Sequence, residues 1–275
     1  MNRPEITDLL LYPIKGCRGY SVHQIMITTM GLLGDREFAV IADGQRVNQK
    51  QIPELMLLSA VWDSPEILLL DFPGVDSFKL NTTLNAITDV GLAASEIQVY
   101  GNSLPILDMG DNVADWLSMA LGTAVRLART NGTTDWFFPV PEFELIHGKP
   151  QTKFVDAAPI LLTNDESLKD LNSRLNDALP MNRFRPNVVV GKLAAYEEDE
   201  LEIFSFPNVS LQRLSYCERC IVTTTNQETG EMTKEPLRTL SKYRKRENGY
   251  AGGIKFGIYL TALAGGELAV GDHLG

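Results

Sequence analysis

The chain has 275 residues, 44% apolar and 22% charged, enough to bury a substantial core in one large or two closely joined domains. Its formal net charge of -10 argues against a nucleic-acid surface, which needs an excess of Lys and Arg. Three cysteines, an odd count, argue against a disulfide framework and for a reducing compartment, and no apolar run approaches a membrane span.

Met1 to Glu5 runs straight into a strand-like segment without an apolar signal, so a cytoplasmic location is expected. Short strands come next, each closed by glycine or a small polar residue: Ile6 to Ile14, Val22 to Thr29 and Glu37 to Ile41. Met56 to Trp62 and Glu66 to Leu70 continue the pattern, and this spacing predicts a barrel or curled sheet. Val113, Trp116, Leu117, Ala120 and Leu121 then repeat at helical spacing, with Asp111 as the expected cap and Gly122 as the stop.

Thr130 to Lys153, rich in Gly, Pro and aromatic residues (Trp136-Phe137-Phe138-Pro139), reads as a domain junction or active-site lid. Thr163-Asn164-Asp165-Glu166 has capping-box form and opens a second helix lined by Leu168, Leu171 and Leu175. Strands are expected again over Pro159 to Leu162, Asn187 to Val190, Glu200 to Phe204, Val209 to Leu214, Ile221 to Thr225 and Ile254 to Leu263, with a last one at Gly266 to Val270. Lys242 to Arg246 reads as a solvated basic loop. The class is α+β, a β-rich region over residues 1–121 followed by a β-barrel with a few helices over 122–275.

The chemistry concentrates at Tyr216-Cys217-Glu218-Arg219-Cys220, just before Ile221-Val222-Thr223-Thr224-Thr225. Cys220 is expected at a strand start, next to an arginine that would favour its thiolate. A zinc site would need two further ligands from Cys17, His23, His147 and His273, none paired at ligand spacing. A thioredoxin-type dithiol would precede a helix, whereas here a β-branched run comes after it. A lone thiolate ligand is the better reading. No G-x-G-x-x-G follows a strand and no Walker sequence occurs, so nicotinamide and ATP are not supported. Arg36, beside Asp35, and Arg185, before Pro186, stand on turns and, taken singly, are ordinary structural arginines.

Leu11-Tyr12-Pro13-Ile14-Lys15-Gly16-Cys17, Gly31 to Phe38, Leu171 to Leu175, Asn182 to Asn187 and Arg219 to Thr224 together resemble the MOSC family, above all its two-part members related to the amidoxime reducing components. Thr229 to Leu237 and Phe256 to Tyr259 extend the likeness over almost the whole chain. The resemblance implies a molybdenum cofactor (Mo-molybdopterin) with Cys220 as the one protein ligand to the metal and Cys217 as a second, non-ligating cysteine. Lys15, Arg36, Arg185, Arg219 and Tyr259 fall on cofactor-contacting positions, and Asp156 falls on an acidic position near the metal, where it is assigned a catalytic role. Gly16, Ala157 and Ala158 stand where the family often has hydroxyls, leaving backbone N–H groups to hold phosphate.

The same resemblance implies an oxidoreductase that reduces N-hydroxylated bases, amidoximes or related N–O compounds. Electrons would come from an external ferredoxin-like, flavin or haem protein, since the chain carries no such signature of its own. Some bacterial relatives attach a ferredoxin-like domain at a point corresponding to Gly275. The alternative is a molybdenum-cofactor or sulfur carrier acting through a Cys220 persulfide. The family also carries an association with pyridoxal phosphate.

Overall fold

A computed structural model describes residues 3–83, 94–99, 102–130, 153–249 and 252–275. The expected lid or junction and its aromatic cluster at Trp136 to Pro139 lie outside the described residues, as does His147. In chain order the first strands are β1 (Glu5–Leu11), β2 (Tyr20–Val22), β3 (Gln24–Thr28), β4 (Gly31–Leu32), β5 (Phe38–Ala42) and β6 (Gln45–Arg46). Next come β7 (Ser59–Ser64), β8 (Ile67–Phe72), β9 (Val75–Asn81), β10 (Ala94–Val99), β11 (Asn102–Asp108) and β12 (Arg126–Thr130). The rest are β13 (Ile160–Asn164), β14 (Val188–Gly191), β15 (Ile203–Ser205), β16 (Ser210–Glu218), β17 (Lys255–Ala264) and β18 (Gly266–Ala269).

The class is α+β, as the sequence indicates. Strands β10-β11-β12-β5-β6 close a barrel, and β7-β8-β9 form a separate sheet beside it. Phe38, Val40, Leu68, Leu70 and Leu127 share one core with Val113 and Leu117 of the helix Asp111–Leu121. That helix ends where Gly122 takes a left-handed turn (φ 66). Its cap is Gly110, and Asp111 is its first residue, placing a carboxylate at the positive end of the helix dipole.

The strands of the second part, read from sequence as a barrel, pair as a seven-stranded sheet in the order β15-β16-β17-β13-β14-β1-β2. Two of its members come from the start of the chain: β1 pairs antiparallel with β14, Leu9 opposite Val188. Leu9, Ile160, Leu162, Val188, Leu211 and Ile258 fill the core beneath it. Strand β16 runs to Glu218, beyond the expected Leu214, through three register shifts against β17.

The second helix, Asp165–Asn172, is capped by Asn164, whose side chain accepts from the Glu166 N–H at 3.0 Å. Thr163, the expected cap, is instead the fully buried fourth residue of β13. The apolar face of the helix delivers Leu171 to a cluster with Phe184, Leu240 and Phe256. Phe184 and Phe256 stack at 3.9 Å, fixing the turn that carries Arg183 and Arg185.

The basic run at 242–246 is only partly solvated. Arg244 bonds the buried Asp199 carboxylate at 2.5 Å, and Arg246 lies 3.7 Å from Glu218. Those two cations balance buried acids, while Lys242 and Lys245 stay exposed. Among the described residues no helix is long and apolar enough to cross a membrane.

Candidate functional site

Lys15, Gly16, Arg36, Asp156, Ala157, Ala158, Arg185, Arg219, Cys220 and Tyr259 all line one cleft of about 350 Å³, although they come from separate stretches of chain. The cleft sits where the first part meets the seven-stranded sheet. Gly16 holds φ +81, a left-handed conformation that suits glycine, and its carbonyl accepts from Gln49 Nε2 at 2.6 Å. Ala157 and Ala158 are buried, with only a methyl group as side chain.

Cys220 does not start a strand. It caps a 3₁₀ turn, Ile221–Thr224, and its carbonyl accepts from both the N–H and the hydroxyl of Thr223. Thr224 bonds back to the Ile221 carbonyl in the same way. These hydroxyl back-bonds favour a turn over the ladder that β-branching suggested. Arg183 fastens the turn from outside, donating to the carbonyls of Thr223 and Thr224 at 3.1 Å each. The Cys220 thiol is thereby left exposed on a braced turn.

The other two cysteines are buried. Burial pushes the Cys17 thiol up to about 12, with Arg185 opposing. Arg219 makes its hydrogen bonds away from Cys220, with which it interacts through space: its Nη1 donates to Cys217 Sγ at 2.7 Å and its Nη2 to the Phe184 carbonyl at 2.6 Å. The Tyr259 side chain also hydrogen-bonds Cys217. Burial still raises the Cys217 thiol above its ordinary value, outweighing both partners. The two cysteines of the C-x-x-C thus have unlike surroundings, one sealed and one open. Among the described residues no three His, Cys, Asp or Glu side chains gather as a metal site, and His273 lies against Glu5 at 3.8 Å.

The opposite wall is cationic. Arg36 and Arg185 both hold left-handed backbone, φ 45 and φ 54, a conformation uncommon for residues with a Cβ and often found where function demands it. Their guanidinium carbons lie over one aromatic ring, Tyr12, at 4.1 and 4.5 Å from its centre. Arg36 is paired with buried Asp35 at 2.5 Å. Arg185 has no carboxylate partner among the described residues; it donates to Gln227 Oε1 at 3.3 Å. A cation without a counter-charge in a cleft wall invites an anionic ligand.

Residues 3–124 match the MOSC N-terminal beta barrel domain and residues 149–275 match the MOSC domain. The chain belongs to the MOSC family. It is similar to mitochondrial amidoxime reducing component 2 of Bos taurus, 34% identical over 278 residues, with 97% of this chain and 81% of that protein aligned. It is 32% identical to mitochondrial amidoxime-reducing component 1 of Homo sapiens, again over 97% of this chain and 81% of that protein. Molybdenum cofactor sulfurase of Oryza sativa subsp. japonica is 30% identical over 98% of this chain, which spans only 35% of that larger protein.

In this MOSC chain the acid at the cleft mouth has two cations. Asp156, 62% exposed into the cleft, meets Lys15 Nζ at 2.6 Å and Arg46 Nη2 at 3.5 Å. Desolvation works against its charge, but Lys15 and Arg46 outweigh it and hold the carboxyl down to about 2. Burial, with Arg46 adding and Asp156 opposing, lowers the Lys15 ammonium to about 7. Arg46 escaped the sequence reading, although it stands just past the Asp43-Gly44 hairpin turn that returns it to the cleft. Gln49, Gln227 and Tyr12 were likewise not singled out as site residues.

Lys15 predicts a pH signature. The unfolded chain keeps this proton up to about pH 10.5 and the folded chain only to about pH 7, so between those values the group makes the fold more stable as pH rises. A divalent anion bound beside it reverses the preference and draws the proton back. Sulfate affinity, measured calorimetrically, is therefore expected to fall above pH 7 by at most about tenfold per unit, with proton uptake on binding. Lys15→Arg, which stays charged, should flatten that profile; an unchanged slope would exclude Lys15 as its source.

Proposed function

We propose that the chain binds a molybdenum cofactor in this cleft and reduces N-hydroxylated bases, amidoximes or related N–O compounds. One observation carries the reading: a single exposed thiol faces a cleft whose walls bear Lys15, Arg36, Arg185 and Arg219. That donor set suits a group that brings its own remaining metal ligands and its own negative charge. Cys220 would be the one protein ligand. Lys15, Arg36 and Arg185, with backbone N–H groups near Gly16, Ala157 and Ala158, would hold the anionic tail. Arg219 and Tyr259 act through Cys217, keeping the wall behind the metal ligand ordered.

When bound, the cofactor supplies the oxygen-accepting, two-electron chemistry that opens the N–O bond. Overall, the substrate N–OH takes two electrons and two protons and leaves as N–H and water. Asp156, ionised and held at the cleft mouth, would accept a hydrogen bond from the amine of an amidine-type substrate and orient it. Electrons would come from an external ferredoxin-like, flavin or haem protein. The reading needs no pyridoxal phosphate.

The test is elemental analysis of chain purified from a host that makes molybdopterin, with oxidation of reduced viologen then measured on addition of benzamidoxime. About one molybdenum per chain together with turnover is the expected result. Bound molybdenum without turnover, with a persulfide at Cys220 in the mass spectrum, would establish the carrier alternative instead. Absence of molybdenum would overturn the reductase and cofactor-carrier readings and leave only sulfur transfer through Cys220.

A further inference from the structure

We propose that Tyr12 is the positioning residue that aims Arg36 and Arg185 at an anionic group of the bound ligand, and that Gly19 sets the ring in place. The inference rests on the anion-holding role proposed for these two arginines. Tyr12 is 2% exposed, and its hydroxyl has no hydrogen-bond partner among the described residues, so its retention there is not explained by a polar contact. What the ring does have is two guanidiniums, from turns 149 positions apart in sequence.

The backbone ties all three together. The Arg36 N–H donates to the Tyr12 carbonyl at 2.7 Å, and the Tyr12 N–H donates to Asp35 Oδ1 at 2.9 Å. Arg36 Nη2 reaches the Arg185 carbonyl at 3.4 Å. Two like charges at one place repel, and the negative face of an aromatic ring offsets that repulsion and holds both guanidiniums at the cleft wall. The ring itself is wedged by the chain at Gly19. A Cβ built on Gly19 would lie 2.3 to 2.7 Å from three atoms of the Tyr12 ring, so only glycine lets the ring occupy this position.

The π-face, not the hydroxyl, carries the effect, which separates the variants. In full-length chain from a host unable to make molybdopterin, sulfate affinity is measured by calorimetry at pH 6, with melting temperature as the control for folding. Tyr12→Phe should keep wild-type affinity within about twofold. Tyr12→Met, similar in bulk but without a π-face, should lose about tenfold or more, as expected when two partly desolvated cation–π contacts go. Gly19→Ala, whose added methyl would press on the Tyr12 ring itself, should produce the same loss by displacing the ring.

Retention of molybdenum in chain from a competent host should keep the same order. Wild-type affinity in Tyr12→Met, or a loss in Tyr12→Phe as large as in Tyr12→Met, would overturn the proposal. If Tyr12→Met fails to fold, Gly19→Ala decides it: unchanged sulfate affinity overturns it. A wild-type chain whose sulfate binding depends on Tyr12 as described, yet which never holds molybdenum, sinks the cofactor reading and leaves the platform standing.

Discussion

Cys220→Ala is expected to remove bound molybdenum and cut reduction of N-hydroxylated substrates by more than about 100-fold, exceeding the 10–100-fold typical of losing an outer partner of a metal ligand. The thiol is exposed on a turn that Arg183 braces from outside, so nothing in the fold relies on the sulfur and the melting temperature should hardly move. Cys217→Ala should behave in the opposite sense. It leaves Arg219 Nη1 without its 2.7 Å acceptor in a buried wall, a cost of about 1–3 kcal/mol, with metal content reduced less than in Cys220→Ala. Cys217→Ser, which restores an acceptor, should recover most of that stability. Molybdenum content and urea midpoints of the three variants check the pattern. Equal metal loss from Cys220→Ala and Cys217→Ala would point to a dithiol site and away from a single ligand.

The two arginines of the opposite wall should separate just as sharply. Arg36→Ala strands the Asp35 carboxylate, 3% exposed and already raised by burial, without its ion-pair partner. Removing one member of a buried pair costs about 3–5 kcal/mol, so this variant should be destabilised as well as poor at retaining cofactor. Arg185→Ala strands no acid, and should lose cofactor with a stability change of about 1 kcal/mol or less, the scale of its contact with Tyr12. Adding Asp35→Asn to Arg36→Ala should restore stability but not cofactor. Equal unfolding midpoints for Arg36→Ala and Arg185→Ala would show that the Asp35 pair contributes nothing to the fold.

Much of the fold is legible in the sequence because it is local. Helical periodicity, Gly122 as a stop and the strand lengths depend on neighbours along the chain. The cleft residues are found through motif likeness, and the fold gathers all ten of them. The features that stay hidden need partners remote in sequence. The Ile221 to Thr225 run looks like a strand by composition, yet the 3₁₀ turn wins because two threonine hydroxyls bond backward and Arg183, some 40 positions earlier, caps the result. Tyr12 stands in the sequence only as one member of the Leu11 to Cys17 stretch, and its role shows when the turns carrying Arg36 and Arg185 meet its ring. The double role of the Asn182 to Asn187 segment is equally invisible: Arg183 builds the turn that carries the thiol, while Arg185, two residues on, lines the cleft.

The pairing of β1 with β14 has a consequence for biogenesis. Leu9 and the strand it belongs to leave the ribosome well before their partner strand, Val188–Gly191, which follows about 180 residues later. Until then β1 can pair with β2 beside it, but its other edge stays unpaired. On the function proposed above, cofactor insertion can begin only once Arg219, Cys220 and Tyr259 have also been made.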